Sequence, residues 1–131
     1  MNSLVNIKNE LRKVENIYST ASDLTSIQSI KEFLVTLAKD KKQCSHELSG
    51  AEPQKDNQVK IKENLFTQGK VRTETLLVRC LNEEENLIKS YQKSLTRDSL
   101  NDQQALILLR QLNDALAAFN QLRAFKLSRS Y

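Results

Sequence analysis

Leu4, Ile7, Leu11, Val14, Tyr18 and Ala21 follow one another at steps of three and four residues. That step is the signature of an α-helix with one apolar seam, since a strand would scatter the same residues over both its faces. The spacing returns three times. Ile27, Ile30, Leu34, Leu37, Lys41, Cys44 and Leu48 form a second seam. Leu77, Leu81, Glu84, Ile88, Tyr91 and Leu95 form a third, and Ala105, Leu108, Leu112, Ala115, Phe119 and Leu122 a fourth. Leu106, Leu109 and Leu116 widen the last of these, so the fourth helix is expected to be the most buried. With two glycines and one proline in 131 residues, the chain lacks the turn formers a sheet needs. The expectation is an all-α chain, residues 1–131 forming one antiparallel four-helix-bundle domain.

Punctuation sets the helix limits. The first helix is expected over about 3–21, ending in the serines and threonine before Asp23. Thr25 or Ser26 is placed to cap the second, and Gly50 followed by Pro53 to stop it. The stretch 51–72 reads as a long crossover with a short apolar set (Val59, Ile61, Leu65, Phe66) and a break at Gly69. The third helix is expected over about 72–95. The fourth opens at Asn101 with Gln104 three residues on, the spacing of a capping box. Short links at both ends and a long one between make two helical hairpins joined by a crossover. Glu15-Asn16-Ile17 and Glu85-Asn86-Leu87 are a faint echo between the hairpins.

The net charge of +4 is expected to be a solvated surface. Arg123, Lys126 and Arg129 gather near the C-terminus, but Phe125 and Leu127 break them up, and no nucleic-acid-binding motif is present. Nucleic acid and anionic membrane are therefore disfavoured as partners. The amphipathic start MNSLVNIKNEL is not expected to act as a signal peptide, and no apolar run is long enough to span a bilayer. Cys44 and Cys80 form no disulfide framework, which suits a reducing cytoplasm.

Function in a bundle resides in polar side chains that face inward. Lys41 and Glu84 interrupt two apolar seams, while Glu15 and Glu85 flank them. A buried lysine needs a carboxylate partner. The expected core polar cluster is Glu15, Lys41 and Glu84, with the choice between Glu84 and Glu85 open. Snorkelling of Lys41 to the surface is the alternative. No catalytic residue and no cofactor is expected. His46 reads as a surface residue, Cys44 as a small core residue, and Cys80 as ambiguous. Tyr18 and Tyr91 read as rim aromatics with wet hydroxyls, and Glu83-Glu84-Glu85 as a solvated face.

A conventional diiron centre needs two Glu-x-x-His pairs. The chain has one histidine and no such pair. The stretch LAKDKKQCSHEL nevertheless looks like the second helix of ferritin-like proteins, with Lys41 and Cys44 at the positions of a Glu-x-x-His pair. RQLNDALAAF puts Leu116 and Phe119 at the other pair. Together with GAEP after the second helix and NEEENLIKSY in the third, these segments resemble an uncharacterised bacterial family of ferritin-like four-helix-bundle proteins. The resemblance spans nearly the whole chain. It implies the bundle fold, self-association and a basic residue at position 41, and it supplies no activity. A histidine often found near Phe119 in such proteins is absent here.

Three functions follow as expectations. The first is a non-enzymatic bundle acting by self-association, as a homodimer or other homo-oligomer, or by binding another protein, with a degenerate metal site. The Lys41 ammonium would then occupy the space of the lost cation, and Lys41→Met should leave the fold intact. The second is a metal protein holding one iron or manganese ion through Glu15, Glu84 or Glu85. The third is a nucleic-acid or membrane-binding module.

Overall fold

In the computed structural model, residues 3–50, 72–97 and 100–129 are described. They form four helices: α1 (Ser3–Leu24), α2 (Gln28–Gly50), α3 (Thr73–Arg97) and α4 (Asp102–Arg129). There is no strand among the described residues. Of the expected crossover, 51–72, residues 51–71 lie outside them.

The seams explain the packing. All six seam residues of α1 are buried, as are Ile30, Leu34, Leu37, Lys41, Cys44 and Leu48 of α2. From α3 come Leu76, Leu77, Cys80, Leu87, Ile88 and Tyr91, and from α4 Leu108, Ala115, Ala118 and Leu122. α1 packs on α2 and α3, and α4 packs on the same two, so α1 faces α4 across the diagonal of the bundle. Removing these side chains from water is the main force that holds the chain together.

The helix ends follow local chemistry with small shifts. α1 runs on to Leu24, past the expected stop. α2 starts at Gln28, and the Thr25 hydroxyl accepts the Ile27 N–H at 3.3 Å. That hydroxyl also lies 3.1 Å from the Thr73 hydroxyl, tying the α1–α2 turn to the start of α3. Gly50 is the last residue of α2 and not the first beyond it. The capping box is formed: Gln104 N–H donates to Asn101 Oδ1 at 2.8 Å, and Asn101 N–H to Gln104 Oε1 at 3.2 Å.

One expectation is overturned. α4 is not the most buried helix. Leu106, Leu109 and Leu116 are 68%, 46% and 40% exposed, because the core-facing row is Leu108, Gln111, Ala115, Ala118 and Leu122. The three leucines lie on the far side of the helix from that row. No helix among the described residues is long and apolar enough to cross a membrane.

Candidate functional site

The centre of the bundle holds an ion pair. Lys41, on the α2 seam, places Nζ 2.7 Å from Oε2 of Glu84 on α3. The other carboxylate oxygen, Oε1, accepts the hydroxyl of Tyr18 from α1. Lys41 is 4% exposed, and Glu84 and Tyr18 are wholly buried. An isolated charge at such a place would be very unfavourable. Here the carboxylate meets one charged and one neutral donor, the arrangement a buried anion needs. Burial, followed by the adjacent Glu84 charge and its hydrogen bond, pushes the Tyr18 phenol well above its usual range. Tyr18 therefore stays a neutral donor to the carboxylate.

This geometry settles one open choice and corrects one expectation. Glu84, and not Glu85, faces the core: Glu85 is exposed and pairs with Lys89 one turn on at 3.1 Å. The α1 member of the cluster is Tyr18, not Glu15. Glu15 sits nearly one turn earlier and is half-buried. A phenol serves better there, because a second carboxylate against Glu84 would add like-charge repulsion.

A second polar layer joins α2, α3 and α4. The Tyr91 hydroxyl donates to Gln111 Oε1 at 2.7 Å. Gln111 Nε2 donates to the Cys44 carbonyl at 3.2 Å and lies 3.5 Å from Glu47 Oε1. Glu47 also receives Arg110. Tyr91 is 1% exposed, and burial pushes its phenol upward. Neither tyrosine hydroxyl is wet, contrary to expectation, because each points along the core toward a polar side chain. Gln111 escaped notice in the sequence because Leu109 and Leu112 beside it suggested a different inward face. The row 108, 111, 115, 118, 122 carries the signal that would have found it.

Glu83 is also buried, so two of the three consecutive glutamates leave the solvated face expected for them. Its carboxylate lies 3.5 Å from Lys13 Nζ and 3.9 Å from Arg79 Nε. Nearby, burial raises the Glu10 carboxyl, with Lys13 opposing and Glu83 adding to the shift.

The remaining candidates show little reactive character. Burial pushes the Cys44 thiol up to about 11 against an opposing pull from Lys41. Burial and then the Glu84 charge push Cys80 up to about 12. Thiols so raised are poor nucleophiles at neutral pH. His46 is exposed. Leu116 and Phe119, matched by resemblance to the second ligand pair of a diiron bundle, do not enter the centre: Leu116 is exposed and Phe119 only half-buried.

These residues do not fit a dinuclear carboxylate metal centre. Among the described residues there is no group of three or more His, Cys, Asp or Glu side chains placed to hold a metal ion. Both Glu84 oxygens are already engaged, one by a cation that belongs to the chain. Comparison of the chain with protein-family models, with curated proteins and with solved structures finds no match.

Proposed function

We propose that this chain is a non-enzymatic helical bundle that acts through its surface, by self-association or by binding another protein. The observation that carries this reading is the Glu84 carboxylate, held between Lys41 and Tyr18 at the centre of the core. In a functional carboxylate site at least one oxygen must be free to meet a metal or a substrate. Here an ammonium group stands where a bound cation would, and its role is to fix the register of three helices.

The proposed plan is ferritin-like. It comprises two antiparallel hairpins, α1–α2 and α3–α4, joined by the crossover. The order of the cross-links supports it. Thr25 meets Thr73, and Tyr18 meets Glu84, so positions fall along α1 as they rise along α3. α1 and α3 are then antiparallel neighbours, and the Gln111 contact to Cys44 brings α4 against α2. A cytoplasmic setting fits the two free, buried cysteines.

The test combines two measurements on the purified chain. Titration with ferrous iron and with manganese should give no saturable binding and no thermal shift. Size-exclusion with light scattering over a range of concentrations should show a mass above that of one chain. A stoichiometric bound metal ion would favour the metal-protein reading and refute this one. A monomer at every concentration would leave only the binding of another protein.

A further inference from the structure

α4 carries a second seam on its solvent side. Leu109, Asn113, Leu116, Asn120, Arg123 and Leu127 follow one another at steps of four, three, four, three and four, and every one is exposed. Leu106 extends the row by three residues toward the start of the helix. The described residues include eight large exposed hydrophobic side chains, and four of them (Leu106, Leu109, Leu116 and Leu127) stand on this one row. The others, Val5, Leu24, Val35 and Val78, are scattered over α1, α2 and α3. The row is nearly opposite the one α4 buries in its own bundle. About three heptads of such spacing is the length over which a coiled-coil seam becomes specific.

We infer that this seam pairs with the same seam of a second copy of the chain, the two α4 helices running antiparallel. The inference rests on the self-association reading above and names its interface. Two features select a second copy. First, the row complements itself. In the antiparallel register that sets each first seam position against the other kind, Leu109 meets Leu127 of the second copy, Leu116 meets Asn120, and Asn113 meets Arg123. Every layer thus pairs leucine with leucine, leucine with the stem of an amide, or an amide with a guanidinium. The Asp114 carboxylate is one residue from that last layer.

Second, charge chooses the direction. Parallel pairing would stack Arg123 on Arg123, a like-charge contact. Antiparallel pairing separates them and also opposes the helix dipoles. On the flanks, Arg110 falls across from Ala124 and Lys126 across from Leu112, so no cation faces a cation. Arg110 is already engaged by Glu47 of its own chain. The small Ala117 and Ala124 let the helices approach closely.

The seam is about 31 Å long, at 1.5 Å per residue, and about 10 Å wide. A strip of that size is about 310 Å² on each copy, about 620 Å² in total, below the ~1,200 Å² of standard specific interfaces, so the contact is a weak one. The dimer should therefore depend on concentration. The contact is isologous and closes on itself, so it stops at two copies.

The test is light scattering coupled to size-exclusion on the full chain, the Leu109→Glu/Leu116→Glu variant and a Val35→Glu control. Circular dichroism checks that each is folded, as expected for changes at exposed positions. The wild type and the control should be dimeric, and the double variant should dissociate at least about 100-fold more readily. A wild-type monomer throughout would overturn both this interface and self-association. A double variant that still associates like the wild type would overturn the interface alone. So would unchanged assembly with a lowered melting temperature, which would assign the seam to a segment of the same chain. Register is read by cysteine cross-linking. Leu109→Cys mixed with Leu127→Cys should form a disulfide across the dimer, and Leu109→Cys with itself should not. The reverse pattern would overturn the antiparallel arrangement.

Discussion

The Lys41 ammonium stands 2.7 Å from the Glu84 carboxylate, both side chains buried in the core. Pairs of this kind add little net stability over a well-packed apolar pair, but each partner is strongly destabilising when left alone. The single exchange Lys41→Met, harmless in prospect from the sequence, now has a definite consequence. It would strand a fully buried carboxylate.

Tyr18 completes the coordination of that carboxylate. Tyr18→Phe keeps the ring and removes the hydroxyl donor to Glu84. A hydrogen bond to a charged group contributes about 1.5–3 kcal/mol. Urea unfolding should show that loss with an unchanged denaturant slope. Glu15→Gln should cost less than about 0.5 kcal/mol, as for a residue outside the cluster. The opposite ranking of the two variants would restore Glu15 to the centre.

Gln111 is the acceptor for Tyr91 and the donor to the Cys44 carbonyl. Gln111→Leu leaves the Tyr91 hydroxyl buried without its partner, at a cost of about 1–3 kcal/mol. Combining it with Tyr91→Phe removes the orphan and should recover part of the loss. Strictly additive destabilisation would mean that the two side chains do not act together.

The thiols give a pH dependence with a definite sign. Cys44 rises from an ordinary 9.0 to about 11, and Cys80 from 9.0 to about 12. In both, the folded value lies above the unfolded one. Their contribution to stability is therefore complete below pH 9 and is lost as the pH rises through 11 to 12. Melting temperature should accordingly fall on the alkaline side. At pH about 8 a thiol reagent should modify the folded chain far more slowly than the urea-unfolded one. Rapid modification of two thiols in the folded protein would contradict this burial.

The helices were legible because each has a seam whose period only a helix can satisfy. Leu4 through Ala21 is the clearest case. Lys41 and Glu84 were legible for the same reason: a charge on an apolar seam stands out. What the pattern concealed was direction around the helix axis. α4 is apolar on two faces, so Leu108 and Leu109 looked equally fit for the core, and the outer row was assigned inward. Tyr18 and Tyr91 were on the correct seams, yet a phenol at such a place can point outward to water or along the core to a partner. Its choice depends on Glu84 and Gln111, which come from other helices. Glu83 lies beside Glu84 in the chain, is buried on the row Leu76, Cys80, Glu83 and Leu87, and stands 3.5 Å from Lys13 of α1. No period within α3 reports that contact.

A double-mutant cycle on Lys41 and Glu84 tests the central claim, that these two side chains form a closed, mutually dependent pair inside the core. Lys41→Met and Glu84→Leu would each be measured alone and together by reversible denaturation at neutral pH. The account predicts that Lys41→Met costs about 3–5 kcal/mol, because it leaves the carboxylate unpaired, and that the double variant recovers most of that loss. A Lys41→Met variant as stable as the wild type, or a double variant whose losses simply add, would contradict it.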